Sequence, residues 1–225
     1  NRDRGQVLDK VSTAIRFSML IAIPSTVGLM VLSAPINNLL FHSANAELLI
    51  QITVYGASAV VFYSLSTVTN AILQGINHMK TPLKNSAIAL GLHIVLLLAM
   101  MYGLKSGIYA VVLSNIFFAV VVCVLNARAI RRYLNYRQEY RKTFLLPGLS
   151  SLLMGMAAAG VSKGLESVLP GGRLWLAVQV ICAVGAAVAV YGVCLLKFGA
   201  VDEDELYAMP KGRKLTRIAK RLRLL

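Results

Sequence analysis

The stretch GIYAVVLSNIFFAVVVCVLNARAIRRYLNYRQEYRK, residues 107–142, decides the class of fold. From Gly107 to Ala127 it carries no charged side chain, whereas Arg128 to Lys142 holds six cations against one carboxylate, Glu139. About 20 apolar residues rising about 1.5 Å each cross the roughly 30 Å hydrocarbon core of a bilayer. An apolar run of that length ending in arginines predicts a transmembrane helix with its basic end in the cytoplasm, because Lys and Arg concentrate on that side.

Outward from this stretch, apolar windows of helix length recur near 14–33, 48–76, 83–103, 107–127, 144–166 and 173–197. Polar residues, Gly or Pro bound each of them. The chain is 57% hydrophobic and 14% charged, with a mean hydropathy of +0.70. Soluble domains are about 45–50% apolar and about 25% charged, so the excess apolar surface needs lipid. The cations give an independent test of the count. Of 23 Lys and Arg, 19 fall in the segments assigned to the cytoplasm, namely 1–10, 77–84, 128–142 and the tail from Lys197. The outer segments hold Lys105, Lys163 and Arg173, and Arg16 lies within the first span. A wrong number of spans would scatter basic loops over both sides. The sequence therefore predicts an all-α polytopic membrane helix bundle of about six transmembrane helices, with both ends cytoplasmic.

Several functions are excluded on the same grounds. A net charge of +14 in a soluble chain would suggest nucleic acid, but here the cations sit between apolar runs and set topology. No nucleic-acid partner is expected. Cys123, Cys182 and Cys194 all fall in apolar runs and behave as small hydrophobes. Neither they nor His42, His78 and His93 have metal-ligand spacing, so no metal or cofactor is expected. No carboxylate lies deep in a span, which argues against a proton relay within this portion and against an enzyme. The polar opening NRDRGQVLDK lacks an initiator Met and is the reverse of a signal peptide, which predicts that an N-terminal lobe of the same polypeptide is missing.

Four segments follow from this pattern. Residues 1–132 hold four transmembrane helices, 133–143 form a basic cytoplasmic connection, 144–198 add two helices, and 199–225 make a basic amphipathic cytoplasmic tail. Within 128–142, Tyr133, Tyr136 and Tyr140 alternate with arginines, a pattern suited to an interfacial helix on anionic membrane lipids. Leu215, Ile218, Ala219 and Leu222 repeat at helical spacing among the cations of the tail and predict the same behaviour there.

Candidate functional residues lie in the first two spans. Arg16 sits about one turn inside the first, where a guanidinium must snorkel to the headgroups, pair, or line a wet cavity. Pro24 lacks an N–H in mid-span, and Gly28 follows one turn later, a pairing that suits either a hinge or a packing kink. Asn70 and Gln74 are i,i+4 neighbours at the inner end of the unusually polar second span, placed to offer amides to a polar ligand or a neighbouring helix. Pro82, after the short turn at Gly75 to His78, suits the first turn of the next helix.

Three stretches carry a family resemblance: RFSMLIAIPSTVGLMVLSAPINNLLF at 16–41, LQGINHMKTPLKN at 73–85 and YGLKSGIYAVVLSN at 102–115. Together they resemble the C-terminal half of a polysaccharide-biosynthesis flippase of the MOP (multidrug/oligosaccharidyl-lipid/polysaccharide) superfamily, on the branch of stage V sporulation protein B and the MurJ-type lipid II flippases. The likeness covers about residues 10–132, while the last two helices match in number and position. It implies the C-terminal lobe of a fourteen-helix transporter in the bacterial cytoplasmic membrane, working by alternating access. The implied substrate is a lipid-linked oligosaccharide or peptidoglycan precursor, with Arg16 as a possible headgroup contact and Asn70 and Gln74 as lower-ranked ones. Two rivals remain open, a multidrug or cation antiporter of the same superfamily and a non-transporting scaffold for cell-envelope synthesis.

Overall fold

The structure, a computed structural model, describes residues 2–41, 45–103, 105, 107–168, 170 and 172–200. Among these residues there are seven α-helices and no strand: α1 Arg2–Val31, α2 Ser33–Leu40, α3 Ala46–Gly75, α4 Lys80–Leu98, α5 Ile108–Leu134, α6 Leu146–Val168 and α7 Arg173–Lys197. Six segments are long and apolar enough to cross a membrane, from Gly5–Val31 to Arg173–Lys197. The expected tail helix and His42 lie outside the described residues.

Three features differ from the sequence expectation. The segment after the first span folds into α2, where Asn37 is buried and donates to the Ser33 carbonyl at 2.8 Å and to Thr53 Oγ1 on α3 at 2.9 Å. Residues 128–142 do not form a separate interfacial helix. Arg128 to Leu134 instead prolong α5 by two turns, Asn135 ends it in a left-handed conformation (φ 51°), and a π-helical turn at Arg141–Leu145 leads into α6. Asn tolerates that conformation better than most residues, which suits it to end the helix at this point. The third apolar window closes with another π-helical turn, Ala99–Gly103.

Helix ends follow local chemistry. At the end of α3, Asn77 (φ 65°) occupies the left-handed position, and His78 N–H bonds back to the Leu73 carbonyl at 2.9 Å while Asn77 N–H bonds to that of Gln74 at 3.0 Å. This pair of bonds makes a Schellman cap, which turns the chain tightly into α4. Pro82 falls in the first turn of α4, where no intrahelical bond is lost.

Helix packing centres on α1. Its face Val11, Ile15, Met19 and Ala22, spaced as one helical stripe, meets Val61, Leu65, Val68 and Ile72 of α3. Farther along, Val27, Val31 and Leu32 meet Met154 and Ala158 of α6 and Ala183 and Ala187 of α7. The buried positions of α6 are Pro147, Ser150, Ser151, Met154, Gly155, Ala158 and Ser162, and those of α7 are Gln179, Ala183 and Ala187. Small residues three or four apart let backbones approach closely, which replaces a hydrophobic driving force that lipid does not supply. Conversely, α4 leaves Leu83, Leu90, Ile94 and Val95 exposed.

Candidate functional site

Pro24 removes the hydrogen bond that the Leu20 carbonyl would receive in a regular helix. The Tyr191 hydroxyl on α7 donates to that carbonyl at 2.8 Å, so the freed backbone group is satisfied from a neighbouring helix. A carbonyl orphaned in hydrocarbon is costly, and re-satisfaction by a side chain is what makes an intramembrane proline tolerable. One turn later, Gly28 faces the Met154 methyl of α6. The proposed hinge is therefore strapped on one side by α7 and packed on the other by α6. Tyr191→Phe should lower stability by about 1–2 kcal/mol through the unpaired carbonyl. A shift of the unfolding midpoint in mixed detergent and dodecyl sulfate checks it, and a variant as stable as the wild type would show that the strap carries no load.

Arg16 is buried, and its Nη2 donates to the Ala200 carbonyl just past α7. The path of the chain explains the meeting. Gly199 (φ 63°) allows Ala200 N–H to reach the Leu195 carbonyl at 2.9 Å and Gly199 N–H to reach that of Leu196 at 3.1 Å, a second Schellman cap. The guanidinium thus stands at the negative end of the α7 dipole, where a cation is favoured. At this end of α7, Leu195 and Leu196 pack with Phe17 and Leu20 of α1.

The amides are arranged differently. Asn126 of α5 is fully buried, and its Nδ2 donates to Asn70 Oδ1 at 2.7 Å and Thr69 Oγ1 at 3.1 Å. Its Oδ1 accepts from Asn85 Nδ2 of α4 at 2.9 Å. One side chain thereby joins three helices near the ends that carry the basic loops. Gln74, one turn beyond Asn70, is exposed. The structure accordingly places Asn70 in an interhelical seam and Gln74 at a surface, while Arg16 is buried against the end of α7. Asn126, Asn85 and Tyr191 were not singled out from sequence. For Asn126 the signal was present, since it is an amide near the basic end of the most apolar span.

At the same end a cleft of about 520 Å³ opens between α1, α3, α5 and the connection to α6. Ile15, Leu65 and Thr69 form its inner wall, and Arg128, Arg131 and Arg137 stand along it with Tyr136, Gln138 and Tyr140. Tyr136 Oη donates to Gln138 Oε1 at 3.2 Å, and Gln138 Nε2 donates to Thr143 Oγ1 at 3.0 Å, which fixes the connection in place. Burial pushes the Tyr136 phenol above its ordinary pKa; a hydrogen bond with Ser12 opposes the rise and nearby Glu139 adds to it. The phenol therefore stays a neutral donor at physiological pH.

Six apolar spans with this interior match one known family over most of the chain: residues 1–200 fit the family described as Lipid II flippase MurJ. The chain belongs to the MurJ family. It is a multi-pass membrane protein of that flippase family. Among curated proteins it is similar to the uncharacterized membrane protein YabM of Bacillus subtilis (strain 168), with 24% identity over 228 residues. That alignment takes in 98% of this chain and 41% of YabM, so the chain spans about two-fifths of the length of the relative it matches. MurJ family membership agrees with the all-α bundle of six candidate spans.

Proposed function

We propose that the chain is the C-terminal portion of a transporter that moves a lipid-linked oligosaccharide or peptidoglycan precursor across the bacterial cytoplasmic membrane by alternating access. The observation that carries this reading is the fit to the Lipid II flippase MurJ family over residues 1–200. The cation distribution supports an orientation with both ends in the cytoplasm, since the basic segments 77–84 and 128–142 lie at the same end of the bundle as Arg2 to Lys10. Anionic lipids of the inner leaflet are its natural surroundings there.

Within that reading, Pro24 and Gly28 provide bending of α1, and Arg16, Asn70 and Gln74 are the proposed headgroup contacts. Gln74 is the readiest of the three, because its side chain is exposed. Arg16 and Asn70 each reach substrate only if a lobe movement exchanges their present partners, the Ala200 carbonyl and the Asn126 amide. Such an exchange is what two-state rocking of packed helices provides.

The test uses the full-length protein in vesicles carrying a fluorescent undecaprenyl-pyrophosphate-linked sugar, with an impermeant reductant added outside. Protein should make inner-leaflet label accessible well above the protein-free rate, and Gln74→Ala should slow this several-fold without changing the amount of folded protein. Rates equal to protein-free vesicles would overturn the transport reading, and full activity in Gln74→Ala would remove that residue from the site.

A further inference from the structure

The cleft at the basic end of α5 combines two chemistries on one wall. Val124, Ala127, Arg128 and Arg131 follow one another at i, i+3, i+4 and i+7, so a single helical stripe passes from apolar to cationic within two turns. Across from it stand Arg137, Tyr136 and Tyr140 of the connection, with Phe144 at the base. The lining contains three guanidinium groups and no carboxylate. Arg128, Arg131 and Arg137 are all exposed, so their donors remain open to a ligand. Guanidinium forks match phosphoryl oxygens in geometry as well as in charge.

The apolar half says what kind of anion fits. Ile15, Leu65, Cys123 and Phe144 line the cleft, and Val124, 43% exposed, continues the wall onto the outer surface of α5 within its membrane-spanning apolar run. A free phosphate would leave that wall wetted. An amphiphile covers it with hydrocarbon while its phosphate meets the arginines, and the tyrosines suit the headgroup level between the two. The cleft lies where the apolar part of α5 gives way to its basic turns, which is the depth of a headgroup. We propose that this cleft holds one phospholipid with a net negative headgroup, bound from the bilayer, its phosphate between Arg128, Arg131 and Arg137 and a chain along Val124.

Such a lipid bridges α5 and the connection that leads to α6, and so joins the two parts of the bundle at their one covalent crossing. The proposal goes beyond the transport reading, because it concerns a resident lipid and is read by binding alone.

Its test is native mass spectrometry of the delipidated protein titrated with dioleoyl phosphatidylglycerol. One lipid should be retained most tightly, and R128Q/R131Q/R137Q should weaken that binding at least tenfold. K80Q/K84Q/R132Q removes equal charge from the same end outside the cleft and should change it less than twofold. All six side chains are exposed, so both variants should fold, which gel filtration checks. Equal weakening in the two variants would reduce the site to general charge attraction and overturn it. So would equally tight phosphatidylcholine binding, failure to retain any lipid, or displacement of the lipid by millimolar inorganic pyrophosphate.

Discussion

Gly155→Leu should destabilise the bundle by about 1–3 kcal/mol or more, the cost of overpacking a tight contact. A Cβ at position 155 would lie 2.8 Å from Val27 Cγ1 and 3.4 Å from Val31 Cγ2. Both neighbours are β-branched residues on a helix, with essentially one χ1 rotamer each, so neither moves aside cheaply. The alternative is for α6 to withdraw from α1, which also opens the packing of Leu32, Met154 and Ala158. Gly155→Ala should show the same effect at smaller size, and Val27→Ala should restore much of it, because the clash is with that side chain. Unfolding midpoints of the two single variants and the double variant measure this coupling. If Gly155→Leu is as stable as the wild type, α1 and α6 are not packed through this glycine.

Asn126→Leu should cost about 2 kcal/mol, for a different reason. Its side chain is replaced by one of similar bulk, but the half-buried Asn85 Nδ2 and Asn70 Oδ1 lose their partner. A buried polar group left unsatisfied costs about 1–3 kcal/mol, and hydrogen bonds between transmembrane helices measure about 0.6 on average and up to about 1.7. Adding Asn85→Leu and Asn70→Leu should recover stability, since a seam with no polar member has nothing to leave unpaired. A triple variant weaker than Asn126→Leu alone would mean that the seam holds α3, α4 and α5 by shape and not by hydrogen bonding. Because Asn70 is also a proposed headgroup contact, transport by the Asn126 variant separates the two roles.

The first-span candidates show where sequence reasoning stopped. Arg16 was legible as an intramembrane cation, and Pro24 as a break. What each meets depends on α7 and its end, far along the chain: Tyr191, 171 residues on, for the proline-freed carbonyl, and the cap at Gly199 to Ala200, 184 residues on, for the guanidinium. No periodicity in residues 16–28 contains that information. The 128–142 region shows a different limit. Its arginines and tyrosines signalled the membrane interface, but an interfacial helix and an extension of α5 have the same composition, and the left-handed Asn135 selects the second.

Sequence by itself determined that this is a membrane bundle of six spans, because span length is fixed by bilayer thickness and the apolar runs meet it one by one. It also determined the family, through a match that runs over residues 1–200 and needs no knowledge of packing. Only the tertiary structure decided which faces are interior. In lipid, apolar side chains are equally content outside or inside, so hydrophobicity does not mark the buried face as it does in water. The faces are marked instead by close approach at Gly155, Ala158, Ala183 and Ala187 and by polar groups that find partners across helices, as Asn126, Gln179 and Tyr191 do. Both kinds of mark need coordinates, because each is a relation between helices distant in sequence.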